Sequence, residues 1–475
     1  MKGDELAYLP AHALAARIAE RAISPVEVID AVLARIERLE PRINAFAYLA
    51  ADQARDAARA AEAALMRGDA LGPLHGVPVT IKDLTATADM PTQFGTLALA
   101  GNRPSVTNPV VPRLRGAGAI VLGKTTTSEF GWTGVSRSPL TGITHNPWRH
   151  GFNAGASSAG AGAAAAAGFG PLHQGSDGAG SIRMPAHFCG VFGLKPSFGR
   201  VPYYPLPVGD FTSHSGPMTR DVRDAALMLR VMAGPTPLDF TTLPTPPDDY
   251  PAALDGLSRP GALSGLRIAY SADLGHARVD PEVATLVRRA AERFAAATGA
   301  AITDVTPAWG PEGAALVRLF WPAHMARHLA LLPAWETRMD PGLVACARAS
   351  ETITMADYQA ARERKYAYVT RIHEWFEDWD FLITPTVSVA AFPAERLQPE
   401  HWPQHPWDWL QWAEFSYPFN MSWNPAASVP CGFTADGLPV GLQIVGRRFD
   451  DLGVLQAAAA FERIQPWVDQ RPPLG

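Results

Sequence analysis

The sequence lacks the features that mark secreted, membrane-spanning or disulfide-rich proteins. Only three cysteines occur in 475 residues, Cys189, Cys346 and Cys431, which is too few for a disulfide scaffold. No run of about 18 strongly apolar residues is present, so no membrane-spanning segment is expected. The N-terminal residues also lack the apolar core of a signal peptide. We therefore expect a cytoplasmic protein, whose thiols stay reduced.

An excess of charge of one sign is also missing. The net charge is −5 and the isoelectric point is about 6.2, and the basic residues form no patch, so nucleic acid is not expected as a partner. The cysteines and histidines match no metal-ligand spacing, so we expect no metal and no cofactor. These absences favour a protein that acts on a small molecule, as a monomer or homodimer, without a membrane partner.

Lysine is scarce. Of 41 basic residues only five are lysines: Lys2, Lys82, Lys124, Lys195 and Lys365. Arginine therefore carries the surface charge, and a lysine placed in an apolar segment stands out. Unlike arginine, a buried lysine can lose its proton near neutral pH and act as a base. Lys82 follows the apolar run Val77–Ile81, although a strand-end lysine that reaches solvent is the alternative interpretation.

Helical and strand-like patterns alternate along the chain. Ser24-Pro25-Val26-Glu27 is a capping box, followed by apolar residues at helical spacing. Further helices are predicted over 50–66, 110–115, 281–298, 355–379 and 451–463. Short strands are predicted over 77–81, 119–122, 266–270, 301–305, 380–384, 427–430 and 440–445. The alternation predicts an α/β fold, a large mixed twisted β-sheet covered by helices on both faces.

We find no strong linker between independent halves, so residues 1–475 are predicted to form a single domain. Within it, residues 1–70 form an N-terminal helical arm and residues 71–234 a catalytic core segment. The Pro-rich residues 235–260 connect this segment to residues 261–475, which complete the sheet and the substrate cleft. Residues 141–216 are rich in Gly, Ser, Ala and Pro, and we interpret them as ordered loops around a site.

Two loops of small residues carry hydroxyl groups. Gly155-Ala-Ser157-Ser158-Ala-Gly160 is one, and Gly175-Ser-Asp-Gly-Ala-Gly-Ser181 is the other. Small residues let the backbone turn sharply and bring several N–H groups near a ligand, so a nucleophilic serine there has oxyanion donors beside it. A plain Gly-rich turn is the alternative for each loop alone. A dinucleotide-binding loop at 160–165 is rejected, because no strand precedes it.

Together, Lys82, Ser157 and Ser181 with their flanking residues resemble the amidase-signature family, including its aryl acylamidase, nylon cyclic-dimer hydrolase and urethanase members. Further matching segments cover roughly residues 10–465: Gly123–Phe130, Asn146–Trp148, Phe188–Pro196, Ser215–Met218 and Pro425–Gly446. The resemblance implies the amidase-signature fold and a triad of Ser181 as nucleophile, Ser157 and Lys82. It departs from the family where Ala156, Ala159 and Ala179 replace glycines and Ala161 replaces a serine, which questions the loop geometry near the oxyanion hole.

The resemblance also implies supporting roles for nearby residues. A non-proline cis peptide bond is expected between Ala156 and Ser157. The N–H groups of Gly178, Ala179, Gly180 and Ser181 are the candidate oxyanion hole. We expect Asp177 and Arg183 to pair and brace the nucleophile loop, and Ser158 to add a hydrogen bond.

Other nucleophiles and bases were weighed against this triad. A Ser-His-Asp arrangement would use His173 or His187, but neither lies in a recognisable triad context, so structural roles are favoured. Lys124 and Lys195 are alternative bases outside the catalytic position. Cys189 has apolar neighbours and is expected to be an inert buried thiol.

A dense run of aromatic residues lies near the C-terminus: Trp402, Trp407, Trp409, Trp412, Phe415, Tyr417 and Trp423. We predict that part of it roofs an aromatic-lined substrate cleft, with Trp132, Phe320, Trp409 and Trp412 as substrate-binding residues. The predicted function is hydrolysis of a C–N acyl bond, amide or carbamate, of a small aryl or hydrophobic substrate through an acyl-enzyme on Ser181. The alternative is the amidase (glutaminase) subunit of a tRNA-dependent amidotransferase.

Overall fold

The computed structural model of the protein describes residues 3–207, 211–245, 248–258 and 262–474. The α-helices are α1 (Gly3–Ala7), α2 (Ala11–Ala19), α3 (Pro25–Ile43), α4 (Ala51–Arg67), α5 (Val110–Gly116), α6 (Ala159–Ala167), α7 (Arg183–Cys189), α8 (Val222–Met232), α9 (Tyr250–Ala253), α10 (Pro281–Thr298), α11 (Gly310–Met325), α12 (Leu332–Trp335), α13 (Pro341–Ala349), α14 (Met355–Trp375), α15 (Tyr417–Met421) and α16 (Asp451–Ile464). No helix in these described ranges combines the length and apolarity needed to cross a membrane.

The strands are β1 (Phe46–Leu49), β2 (Pro78–Lys82), β3 (Ile120–Thr125), β4 (Arg137–Ser138), β5 (Gly142–Ile143), β6 (Leu172–Asp177), β7 (Phe192–Lys195), β8 (His214–Thr219), β9 (Arg267–Tyr270), β10 (Ala301–Asp304), β11 (Phe381–Pro385), β12 (Ala426–Phe433) and β13 (Pro439–Gly446). Eleven of them form one sheet in the order β1-β3-β2-β6-β8-β7-β12-β13-β11-β9-β10, and β4 pairs with β5. β3, β2 and β6 run parallel, as do β11, β9 and β10, and the central pairs are antiparallel. The predicted large mixed sheet is confirmed.

Local chemistry explains helix α3. The Ser24 hydroxyl accepts a hydrogen bond from the Val26 amide at 2.9 Å, and the Ser24 amide donates to the Glu27 carboxylate at 2.8 Å. This reciprocal cap satisfies amides that the first helical turn leaves unpaired, and is worth about 1 kcal/mol. Apolar residues at helical spacing, from Val28 to Leu39, lie on the buried face.

The structure differs from the sequence-based prediction in two stretches. The N-terminal arm is not wholly helical, because β1 leaves it and pairs with β3 at the edge of the sheet. Residues 141–216 contain α6, β6, α7, β7 and the start of β8 as well as the predicted loops. Every residue of α6 is buried, so the helix lacks the polar face that would have made its periodicity visible.

The Pro-rich stretch predicted as a connection contains α9 and a 3₁₀ turn over Leu254–Ser258 in its described part. Residues 246–247 and 259–260 of it lie outside the described residues. Strands from both sides of this stretch meet in one sheet, because β12 pairs with β7 and β13 pairs with both β12 and β11. The sheet is therefore continuous across the predicted core segment and the C-terminal part.

The topology brings the predicted site residues together. β2 and β6 are adjacent and parallel, so the chain leaves both strands at the same edge of the sheet. Lys82 is the last residue of β2, and Asp177 is the last residue of β6. The turn after β6 leads into α7 and carries Ser181, while Ser157 lies just before the start of α6.

Candidate active site

Lys82 lies at the centre of a cluster of serine hydroxyls. Its side chain is fully buried, and its Nζ lies 2.8 Å from both Ser157 Oγ and Ser158 Oγ. Nζ also lies 3.0 Å from Ser176 Oγ and 3.1 Å from the Ser176 carbonyl oxygen. Burial lowers the pKa of Lys82 well below its usual value, and the Asp177 carboxylate offsets this only in part. The amine therefore sits where its neutral form is favoured and where it contacts hydroxyl groups directly.

Two glycines let the serine loops fold tightly. Gly155 has φ +116°, and a Cβ on it would lie 2.3 Å from the Pro185 Cα. Gly180 has φ +113°, and a Cβ on it would lie 2.3 Å from Met184 Cε. Neither position accommodates another residue without strain.

The alanines that replace glycines of the family lie in ordinary backbone conformations. Ala156, Ala159 and Ala179 are not among the residues with positive φ. The added methyl groups therefore impose no left-handed strain on the loops, while the positions that need left-handed backbone, Gly155 and Gly180, keep glycine. The loop geometry questioned from the sequence is compatible with these replacements.

Asp177 organises the turn that carries Ser181. Its carboxylate accepts hydrogen bonds from the Gly180 amide at 2.6 Å and the Ile182 amide at 3.2 Å. It also accepts from Arg183 Nε at 2.9 Å and Nη2 at 3.0 Å, so the predicted pair is present. Burial disfavours ionisation of Asp177, but the Arg183 guanidinium outweighs it and holds the pKa of the carboxyl well below its usual range. A fixed anion thus shapes the turn that carries Ser181.

These contacts revise the expected oxyanion hole. The Gly180 amide donates to Asp177, so it is not available to a developing oxyanion. The amides of Gly178, Ala179 and Ser181 donate to no other residue in the described part of the chain. Three of the four predicted donors therefore remain free, and the fourth holds the turn in shape.

The expected cis bond between Ala156 and Ser157 is not present. Across the described ranges the one cis peptide bond is Tyr204–Pro205. Ala156–Ser157 takes the trans form that a non-proline peptide ordinarily adopts, so that prediction is wrong for this structure. Ser157 nevertheless contacts Lys82 at 2.8 Å.

Ser157 and Ser181 line the same cavity. Its volume is about 330 Å³. Most of its wall is apolar, formed by Leu84, Ala86, Phe94, Phe130, Tyr203, Tyr204, Pro205, Leu206, Pro207, Trp321 and Met325; the other lining residues are Gly131, Ser157, Ser176, Gly178, Ser181, Thr212, Ser213, His324 and Arg327. Ser181 Oγ forms no hydrogen bond with a described residue, so the hydroxyl is available to a ligand in this cavity.

The tryptophans that were predicted to line the substrate cleft lie in the protein core instead. Trp132, Trp409 and Trp412 are fully buried and do not line this cavity. Trp409 Nε1 donates to the Trp132 carbonyl oxygen at 2.9 Å, and Trp412 Nε1 donates to the Leu397 carbonyl oxygen at 3.0 Å. The indole N–H groups of Trp409 and Trp412 are therefore satisfied in the protein core and not in the cavity. Phe320 lines a smaller neighbouring cavity that shares Trp321 and His324 with the main one.

The rival histidines have structural partners. His173 bonds to Thr80 Oγ1 at 2.9 Å and the Gly170 carbonyl oxygen at 3.1 Å, and burial lowers its pKa to about 3. His187 bonds to the Val389 carbonyl oxygen at 3.0 Å and the Gly441 amide at 2.9 Å, with a pKa lowered by burial to about 4. Neither contacts a serine of the site. A Ser-His-Asp arrangement is therefore not formed.

The other rival groups also lie apart from the serines. Burial raises the pKa of the Cys189 thiol above its usual value, and Sγ contacts the Ala154 carbonyl oxygen. Lys195 Nζ donates to the Pro196 and Asn424 carbonyl oxygens. Lys124 Nζ donates to the Thr85 carbonyl oxygen at 2.9 Å and to Thr92 Oγ1 at 2.6 Å. These contacts anchor backbone segments.

Several residues of the site were not identified from the sequence. Ser176 contacts Lys82 and hydrogen-bonds to Tyr203. Ser176 belongs to the same small-residue sequence segment as Ser181, so its position in the sequence could have marked it as a candidate site residue. Tyr203 and Arg327 reach the cavity from segments distant in sequence, and no local pattern marks them.

Comparison with known proteins assigns the family. The family model described as Amidase matches residues 27–455. An acylamidase from Rhodococcus erythropolis is 42% identical over 99% of this chain and 98% of its own length. A glutamyl-tRNA(Gln) amidotransferase subunit from Chloroflexus aggregans is 35% identical over 99% of both chains. The crystal structure of a bacterial aryl acylamidase of the amidase-signature family superposes with a TM-score of 0.88 at 30% identity, over 97% of both chains. The chain therefore belongs to the amidase family and is a hydrolase of C–N amide bonds, with a buried lysine among serines at the centre of its candidate active site.

Proposed function

We propose that Ser181 is the nucleophile of this hydrolase, and that Ser157 and Lys82 form its proton relay. The observation that supports this most is the contact between the fully buried Lys82 amine and Ser157 Oγ at 2.8 Å, on the wall of the cavity that Ser181 also lines. A serine hydroxyl is a weak nucleophile without a base. A lysine whose neutral form is favoured by burial supplies one.

The proposed reaction has two stages. Ser157 Oγ accepts the proton of Ser181 and passes its own proton to Lys82, while Ser181 Oγ attacks the carbonyl carbon. The tetrahedral intermediate collapses to an acyl-enzyme as Ser157 gives a proton to the leaving nitrogen. Water then cleaves the ester of Ser181 by the same relay. Ser181 and Ser157 are not hydrogen-bonded to each other here, and substrate binding completes that contact.

Gly178, Ala179 and Ser181 supply the amide donors for the negative charge on the carbonyl oxygen. Each such donor typically contributes about 2.7–4 kcal/mol to transition-state stability. Ser158 and Ser176 orient the amine, since their hydroxyls lie 2.8 Å and 3.0 Å from Lys82 Nζ. Asp177 and Arg183 hold the nucleophile turn, because the carboxylate binds its amides and the guanidinium binds the carboxylate.

The proposed substrates are small aryl or hydrophobic amides or carbamates. The apolar wall of the cavity supports this class, since Phe94, Phe130 and Leu84 offer no polar groups to a ligand. The similarity to an acylamidase and to an aryl acylamidase agrees with it. We propose that the enzyme acts in the cytoplasm, as a monomer or homodimer.

A glutaminase subunit of a tRNA-dependent amidotransferase is the second candidate, and the 35% identity to one such protein favours it. Free glutamine carries an α-ammonium group, which an enzyme must bind with an acceptor. The described residues of the cavity wall include no Asp or Glu. A hydrophobic amide therefore fits this cavity better than glutamine does.

The test measures amine release from a matched aryl amide and aryl carbamate by the wild-type protein and by Ser181→Ala. Turnover that disappears in the variant supports the proposal, and the ratio of the two rates shows which bond is preferred. Residual turnover in Ser181→Ala would reject the nucleophile. Ammonia release from glutamine without turnover of either aryl substrate would favour the second candidate.

A further inference from the structure

The charge on the cavity wall is of one sign. Arg327 is the single Arg, Lys, Asp or Glu side chain among the described lining residues. The smaller neighbouring cavity, which shares Trp321 and His324, is lined by Lys365 and again by no acidic residue. A largely apolar cavity with a cation and no carboxylate attracts a ligand that carries a negative charge.

Arg327 is held in place by its neighbour. Its Nε lies 3.1 Å from His328 Nε2, and the His328 ring stacks on Phe130 with the ring centroids 4.1 Å apart. Burial lowers the pKa of His328 to about 3, and the Arg327 charge adds to this, so the imidazole is neutral and accepts the hydrogen bond. The guanidinium is thus fixed at one nitrogen, and Nη1 and Nη2 form no hydrogen bond or ion pair with a described residue.

Tyr203 lines the same cavity as Arg327. Its hydroxyl hydrogen-bonds to Ser176, which also contacts Lys82. The polar end of the cavity is therefore linked through hydrogen bonds to the proposed base. Arg327 is exposed as well as cavity-lining, so it lies where the cavity opens to solvent.

We propose that Arg327, with Tyr203 beside it, forms a subsite for a carboxylate group of the substrate, so that the preferred substrates are apolar amides with one anionic end. The planar guanidinium binds a carboxylate through two parallel hydrogen bonds, which a lysine does not provide. This inference rests on the proposed function and specifies its substrate class.

The kinetic test compares para-carboxy, para-methyl and para-aminomethyl anilides of one short acyl group, together with an anilide whose acyl chain ends in a carboxylate. Wild-type protein should hydrolyse one or both anionic substrates with a higher kcat/KM than the neutral one, and the cationic one least well. Arg327→Met should lower kcat/KM for the anionic substrate about fivefold to tenfold, and change that for the neutral substrate less than about twofold. Arg327→Lys should recover only part of the loss.

Arg338→Met is the matched control, because it removes one positive charge from an exposed arginine that stacks on Trp335 and does not line the cavity. It should leave all four rates unchanged. A wild-type enzyme without preference for an anionic substrate would overturn the proposal. So would an equal loss for neutral and anionic substrates in Arg327→Met, since that indicates a structural role.

Equilibrium binding separates this inference from the catalytic proposal. Ser181→Ala should bind the anionic anilide that the wild-type protein prefers, measured by calorimetry, and Ser181→Ala/Arg327→Met should bind it about fivefold to tenfold less tightly. If Ser181→Ala keeps its turnover but the binding difference is seen, the nucleophile is wrong and the subsite stands. Equal binding to both variants would reject the subsite even if Ser181→Ala is inactive.

Discussion

Two buried lysines at the ends of neighbouring parallel strands occupy contrasting environments. Lys82 ends β2 and contacts three serine hydroxyls and a carbonyl oxygen. Lys124 lies on β3, opposite Ile81 in the register, and its Nζ lies 3.6 Å from Asp83 Oδ1. Burial lowers the pKa of Lys124 to about 8 against the opposing effect of Asp83, and burial lowers the pKa of Lys82 well below its usual value.

The difference shows that burial alone does not make a lysine a base. Both amines are removed from water, but a nearby carboxylate favours the charged form of Lys124. Lys124 uses its protons to tie down the backbone near Thr85, Pro91 and Thr92. Lys82 has hydroxyl groups as partners, and these can exchange protons with it. The position of the nearest carboxylate therefore distinguishes a structural lysine from a proposed catalytic one.

The largest expected effect separates the two lysines by activity. Lys82→Met should lower kcat on the best aryl amide at least about a thousandfold, because Ser181 loses its base. Lys82→Arg should be equally inactive, since arginine stays protonated. The free energy of unfolding should change by no more than about 2 kcal/mol, measured by denaturant titration. Activity within tenfold of wild type in either variant would remove Lys82 from the mechanism.

The next effect separates the lysines by stability. Lys124→Met should lower the free energy of unfolding by about 3 kcal/mol or more, because Asp83 is left buried without its counter-ion. Activity per folded molecule should fall less than about tenfold. The double variant Lys124→Met/Asp83→Asn should be more stable than the single one. If removing Asp83 makes no difference, the ion pair does not explain the role of Lys124.

The pH dependence gives a third comparison. Since neutral Lys82 is the proposed base and burial lowers its pKa, log kcat/KM should rise by about one unit per pH unit on the acid side and then level off. The unfolded chain, in which this lysine titrates near 10.5, binds more protons than the native state, so native stability should rise with pH towards that value. Lys82→Met should lose this stability increment, measured as the difference between the two unfolding curves. A stability that falls with pH through the same window would contradict a depressed pKa.

The smallest expected effect concerns the turn after β6, which carries Ser181. Ala179→Gly restores the glycine typical of the family, and Ala179 already has an ordinary φ. Activity should therefore stay within about twofold, measured as kcat/KM. Gly180→Ala is the contrasting variant, because its Cβ would lie 2.3 Å from Met184 Cε at φ +113°. Equal effects of the two changes would mean that backbone conformation does not control this turn.

The sequence was informative where a pattern is local. The capping box of α3, the strand that ends in Lys82 and the small-residue turn before Ser181 all indicated the observed elements. The Asp177–Arg183 pair, which was expected together with the family resemblance, is also present. The sequence did not indicate that α6 is buried on all sides. It also did not indicate that Tyr203 and Arg327, which are distant in sequence, line the same cavity.

The aromatic residues illustrate the same limit. Density of tryptophan near the C-terminus suggested a cleft, but the indole N–H groups of Trp409 and Trp412 find backbone acceptors in the interior. A sequence shows that such side chains are large and apolar, and does not show which carbonyl oxygens the fold leaves for them. The division of residues 1–475 into an arm, a core segment and a completing segment stays a prediction.

The hydrogen bonds of Arg183, which hold the turn that carries Ser181, have a consequence for biosynthesis. Arg183, which holds Asp177, donates to the Ser416 carbonyl oxygen, Asn420 Oδ1 and Gln443 Oε1. Those acceptors lie 233, 237 and 260 residues after Arg183 along the chain. A nascent polypeptide that has already exposed its serines therefore lacks the acceptors that fix their turn. The proposed site is therefore expected to take its final shape only after residues up to Gln443 have been synthesised.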